Sequence, residues 1–162
     1  MFIETEIYKY GLLIENVVID YLQTNEYEII EKYNNNNSHD IIVKNIITNK
    51  QFRIEIKGCR QGFKTGNFYI EYVSHDILSG INTTKSEILI YVVDSPEIYK
   101  LFWINIKRLK QYINTNDKNI KCVKNKSIDS NGLFNGKFNH GYLIEINSNI
   151  YFKVNEIIKS QL

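Results

Sequence analysis

Proline is nearly absent from this chain. The one residue, Pro96, fixes its own φ and removes a backbone donor, so it marks a break between two apolar stretches. The cysteines, Cys59 and Cys122, number two, show no metal-site spacing and give no disulfide framework. A reducing, intracellular setting is the simpler expectation. No apolar segment is long enough to span a bilayer. The start, Met-Phe-Ile-Glu-Thr-Glu, carries early acids and no apolar run of the signal-peptide kind. A charge surplus is missing too: 20 basic residues face 18 acidic ones, for a net charge of +2. Any surface for DNA has to come from local clustering of charge, not from the overall balance. No helix-turn-helix, zinc site, internal repeat or interdomain linker is visible.

What is present suffices for one domain spanning residues 1–162. The hydrophobic fraction is 43% and the aromatic fraction 13%, enough for a packed core, and the 162 residues are too few for two well-cored units. Residues 10–23 read as a helix, with Leu12, Val18, Ile19 and Leu22 on one stripe. Glu15 falls inside that stripe, where an acid needs a partner or a purpose. Residues 27–33 and 39–45 read as strands, separated by a polar loop at 34–38. Residues 51–57 read as a third strand, joined to the second through a turn at 48–50 as a hairpin. A loop at 58–66 precedes a strand at 67–73. A polar turn at 79–85, with the option of a short helix, precedes a strongly apolar strand at 87–93. Beyond it come a strand at 101–106, a helix at 107–113, a polar and loop-rich stretch at 114–139, and a closing hairpin of strands 142–146 and 151–154. The end, 155–162, reads as a short helix.

The informative constellation is Asp40 with Glu55-Ile56-Lys57, the one Glu-x-Lys of the chain. Side chains alternate along a strand, so Glu55 and Lys57 share a face while Ile54 and Ile56 turn to the core. Asp40, at the entry of the neighbouring strand, can meet them across the sheet. Two carboxylates beside one cation suit a divalent metal and a phosphodiester. Mg²⁺ takes hard oxygen ligands and keeps several waters; Asp40, Glu55 and the Ile56 carbonyl can supply such oxygens, with Glu15 brought over by its helix. Lys57 is placed to orient water or to offset negative charge.

Each residue has a plainer reading as well. Glu15 is otherwise a buried acid paired to a core Tyr or Lys, and Asp40 a turn residue closing the asparagine loop. His39 points to the opposite face from Asp40, as a structural or exposed histidine. Glu71 is either a further acid beside Glu55, if its strand is the next neighbour, or a solvated strand charge. Gln61 is a loop residue. Thr83, Thr84 and Lys85 contact a phosphate or cap a helix. Arg60 and Lys64 grip a DNA backbone or serve solubility. Lys107, Arg108, Lys110, Lys121, Lys124 and Lys126 form the basic surplus, on a solvated face or along a substrate groove.

The order helix with Glu15, strand, strand with Asp40, and strand with Glu55-x-Lys57 resembles the PD-(D/E)XK nuclease superfamily, the restriction-endonuclease-like fold. The local pattern, from Lys9-Tyr10-Gly11 through Glu15 to Thr65-Gly66-Asn67 through Glu71, is closest to Holliday-junction resolvases and small phage nucleases. The resemblance covers roughly residues 10–93. It implies an α/β domain with a mixed central sheet flanked by helices, a core in the order α-β-β-β-α-β, and residues 94–162 as an elaboration of that domain. It also implies a Mg²⁺- or Mn²⁺-dependent endonuclease acting on DNA, branched or structured DNA above a fixed sequence. Asp40, Glu55, Ile56 and Glu15 are then the metal ligands and Lys57 the catalytic cation. By the same resemblance the products would carry 5′-phosphate and 3′-hydroxyl ends, and the size and class of the domain predict a homodimer. A sequence-specific restriction enzyme, a silent binding module of the same fold and a structural protein with an accidental acidic pocket remain the alternatives.

Overall fold

The computed structural model describes residues 6–33, 39–128 and 133–161. It shows an α/β chain whose main sheet is mixed. Helix α1 (Glu6–Thr24) starts earlier than the apolar stripe suggests and buries Ile14, Val17, Val18 and Leu22. Its end is closed by side chains. Thr24 Oγ1 donates to the Asp20 and Tyr21 carbonyls, Asn25 Nδ2 donates to Tyr21 O, and Glu26 turns the chain away at φ 70°.

Strands β1 (Tyr27–Lys32), β2 (Ile41–Asn45) and β3 (Gln51–Cys59) form an antiparallel meander. The hairpin between β2 and β3 turns as its sequence suggests: Asn45 Oδ1 accepts the Thr48 N–H at 2.8 Å, and Asn49 takes a left-handed φ of 57°. The asparagine-rich stretch at 34–38 lies outside the described residues. After β3 come α2 (Gly62–Thr65), β4 (Asn67–Ser74), β5 (Ile77–Leu78) and a 3₁₀ turn at Gly80–Asn82. Then follow β6 (Ile88–Asp94), β7 (Ile98–Asn105), α3 (Ile106–Asn116), β8 (Lys121–Ile128), β9 (Phe134–Glu145) and β10 (Tyr151–Ile158). The α3 N-terminus is capped by Asn105, whose side chain accepts the Arg108 N–H.

The six strands of the main sheet run β1-β2-β3-β6-β7-β10, with β3 and β6 parallel and every other pair antiparallel. The apolar β6 is an inner strand buried along almost its whole length, as its composition predicts. A second sheet of four strands runs β5-β4-β9-β8. Two cores result. One packs α1 against the face carrying Val43, Ile54, Ile56, Ile90 and Trp103. The other fills the opposite face, where Leu89, Tyr91 and Phe102 meet Phe68, Ile70 and Ile144 of the second sheet and Leu109 of α3.

Four expectations are corrected. The second face of the main sheet is covered chiefly by another sheet, not by helices, and the connection from β3 to β6 carries β4 and β5 with only a four-residue helix, α2. Within 114–139 the described residues are mostly not loop, because β8 and β9 pair there by backbone hydrogen bonds with little core of their own. Strands β9 and β10 do not form a closing hairpin: β9 joins the second sheet and β10 pairs with β7 in the first. The chain end is strand through Ile158 with only a 3₁₀ turn after it, because Asn155 and Ile157 continue the inward alternation of β10. Both cysteines are free thiols. No helix among the described residues is long and apolar enough to cross a membrane.

Candidate active site

Glu55 and Lys57 sit on β3 in register with Leu89 and Tyr91 of β6, so both point to the side of the second sheet. Ile54 and Ile56 lie beneath α1 in the other core, as strand alternation requires. Lys57 Nζ stands 3.7 Å from Glu55 Oε1; the Glu55 side chain is 14% exposed and that of Lys57 is 52% exposed.

Asp40 lies just before β2, not inside a strand. Its N–H donates to Ile54 O at 2.9 Å, which continues the ladder by one rung. Its carboxylate then takes over: Oδ2 accepts the Ile56 N–H at 2.6 Å. The acid thus replaces a backbone partner where β2 ends. In an extended strand a residue's N–H and C=O leave by the same edge, so the Ile56 carbonyl opens toward Asp40.

His39, Asp40, Glu55 and Lys57 line one cleft of about 290 Å³ together with Glu71 and Ser74 of β4 and the turn residues Ser79, Gly80, Thr83 and Thr84. Glu71 therefore shares a cleft with Glu55, though not along the expected route. The neighbour of β3 is β6, and Glu71 arrives from the second sheet, its Oε1 accepting the Ser79 hydroxyl at 3.0 Å. Gly80 is required at the cleft floor: its φ is 49°, and a Cβ there would run into the Glu71 carbonyl.

His39 precedes β2 instead of belonging to it, so strand alternation does not govern it, and the residue is among those that line the cleft. Both ring nitrogens are buried without a hydrogen-bond partner among the described residues, and the ring meets Tyr33 edge-on at 4.5 Å. Glu15 approaches from α1 and is absent from the cleft walls. Thr83 and Thr84 are in the walls, while Lys85, Arg60 and Lys64 are not. The Arg60 guanidinium lies 4.1 Å over the Tyr10 ring, and Lys64 lies 5.6 Å over Phe63.

Burial dominates the electrostatics of the two acids, Asp40 and Glu15. Burial pushes the Asp40 carboxyl up, the Ile56 N–H and Lys57 pull it back, and Glu55 repels it. Burial also raises Glu15, and Asp40 adds to the rise while Lys32 and Lys57 oppose it. Both carboxyls are thus raised chiefly by loss of solvent, a cost that a bound divalent cation offsets. The donors are hard oxygens: the second Asp40 oxygen, Glu55 and the Ile56 carbonyl. In kind they are the donors of Mg²⁺ or Mn²⁺ sites, which use one or two carboxylates and complete their shells with water and phosphate oxygen. A closed all-protein cage is not what these residues form. Among the described residues no three His, Cys, Asp or Glu side chains are grouped to hold a metal ion.

No protein-family model, curated protein or solved structure matches the chain.

Proposed function

We propose that the protein is a metal-dependent DNA endonuclease whose cleft hydrolyses phosphodiester bonds, with Asp40 and Glu55 as the metal-holding pair. The observation that carries this reading is the Asp40–Ile56 hydrogen bond, which brings an aspartate, Glu55 and Lys57 into one cleft from adjoining segments. Mg²⁺ or Mn²⁺, when bound, supplies a water of lowered pKa and a counter-charge for the phosphate. The chain's own groups do the rest. The Ile56 N–H fixes the Asp40 carboxylate and leaves its other oxygen for the metal. Lys57, held beside Glu55, orients the attacking water or offsets charge on the phosphate oxygens. Glu15 acts on Asp40 through charge, and Glu71, fixed by Ser79, adds an acceptor on the far wall.

The proposal extends to branched or structured DNA as preferred substrate, to 5′-phosphate products and to a homodimer that cuts both strands. Its test is cleavage of supercoiled plasmid, linear duplex and a four-way junction with Mg²⁺, Mn²⁺ or EDTA, parent beside Lys57→Ala and Asp40→Asn. Metal-dependent cleavage that both substitutions abolish is expected. Cleavage that survives both refutes the site, and binding without cleavage under any metal points to a silent module.

A further inference from the structure

A cleft lined by Asp40, Glu55 and Glu71 repels the polyanion it is proposed to cut. Adhesion has to come from a neighbouring surface of opposite sign. The second sheet supplies one. β9 pairs with β4 only from His140 to Glu145, so its outer part, with β8, is a two-stranded ribbon extending past the sheet. Across residues 121–145 there are four lysines, Lys121, Lys124, Lys126 and Lys137, against Asp129 and Glu145. That segment's excess of two equals the net charge of +2 of the whole chain, so the remainder balances.

Among the described residues these lysines enter no ion pair. The salt bridges among the described residues use Arg53, Lys57, Lys100 and Lys159. Lys124 and Lys126 instead stand over aromatic rings, Lys124 at 3.8 Å from Phe138 and Lys126 at 5.4 Å from Phe134. The rings limit the wandering of the ammonium groups and leave their charge uncancelled. In register with His140 and Phe138, the two lysines share one face of β8, about 7 Å apart.

The ribbon is fastened to the rim of the cleft. Ser74, a cleft residue, donates to Asn139 Oδ1 at 3.4 Å, and the same oxygen accepts the His75 N–H at 2.9 Å. The Asp76 N–H donates to Phe138 O at 3.0 Å. Asn139 and Phe138 are the cross-strand partners of Asn125 and Lys126, so the basic face begins about two strand spacings, or roughly 10 Å, from the rim.

We infer that the β8–β9 ribbon is the arm that grips the phosphate backbone of duplex DNA beside the cleft, with Lys124 and Lys126 as its main contacts. The inference rests on the nuclease reading for which DNA is bound and why. A two-stranded ribbon is narrow enough for the major groove, and lysine serves a phosphate as a point charge.

The test is the salt dependence of binding to a labelled duplex of about three helical turns, by fluorescence anisotropy without Mg²⁺. Each lost phosphate contact makes the slope of log K against log salt less negative by about 0.9. Lys124→Ala/Lys126→Ala should shift the slope by about 1.8, Lys124→Arg/Lys126→Arg should restore it, and Lys44→Ala/Lys50→Ala at the far β2–β3 turn should shift it by less than half as much. Hydrolysis of bis(p-nitrophenyl) phosphate with Mn²⁺, which needs no arm, should be equal in parent and ribbon variants. A ribbon variant with the parent's slope, or a control that shifts it equally, overturns the inference. A parent that hydrolyses neither the small diester nor DNA overturns the nuclease reading, while a ribbon-specific loss of slope still stands.

Discussion

The Asp40 carboxylate accepts the backbone N–H of Ile56 at 2.6 Å, so an acid stands where β2 would otherwise have gone on pairing with β3. One hydrogen bond thereby ends a strand pair, holds Asp40 beside Glu55 and opens the Ile56 carbonyl to the same place.

The buried charge on Asp40 is kept at a cost to stability, which the Ile56 N–H offsets in part. Burial and Glu55 raise the Asp40 pKa, so its ionised form is penalised in the folded state. The penalty is absent below the ordinary aspartate pKa and grows to its full size as pH rises past the raised, folded value. Asp40→Asn keeps an oxygen for the Ile56 N–H and removes the charge. Its Tm should exceed the parent's at neutral pH, with the gap closing in acid, while DNA cleavage falls at least about 10²-fold. Thermal melts across pH beside a cleavage assay check both halves.

Lys57 is half exposed and does not hold the fold. Lys57→Ala should lose cleavage by about 10²–10³-fold, with Tm near the parent's and Mn²⁺ affinity retained. A loss of Mn²⁺ affinity matching the loss of rate would make it a residue of the metal site instead.

Gly80→Ala places a Cβ against the Glu71 carbonyl at a left-handed position. It should cost about 1–3 kcal/mol of stability by chemical denaturation. Cleavage should fall by more than unfolding accounts for, because the Ser79–Glu71 wall moves with it.

Away from the site, Glu87 accepts the Arg53 N–H at 2.7 Å and its guanidinium Nε at 3.1 Å, and this partner lowers the Glu87 pKa. A lowered carboxyl stabilises the fold above the ordinary glutamate range, and the contribution is lost as pH falls through the folded value. Both side chains are over 40% exposed, so Glu87→Gln should cost about 1 kcal/mol or less at neutral pH. Denaturation at neutral and acid pH should show the difference shrinking in acid.

The sequence carried the site's local geometry better than its surroundings. Alternation placed Glu55 and Lys57 opposite Ile54 and Ile56, and the turn at 48–50 announced the β2–β3 hairpin, because both depend on neighbours in the chain. The partner of β4 was not legible: Glu71 reaches the cleft of Glu55 from a second sheet, through a long-range pairing that no local pattern encodes. β8 was missed because Lys-Cys-Val-Lys-Asn-Lys has few apolar positions to alternate; the strand rests on β9 and on lysine–ring contacts. In β10 the inward row includes Lys153, 4.7 Å over Trp103, and Asn155, which accepts the Trp103 Nε1–H at 2.9 Å, so polar residues hide a real period of two.

Equilibrium binding of Mn²⁺, followed by its electron paramagnetic resonance signal, tests the pairing of Asp40 with Glu55 most directly. The parent should take up the ion and Asp40→Asn should leave it free at the same concentration. A parent that binds none, or an Asp40→Asn protein that binds as the parent does, would contradict the account.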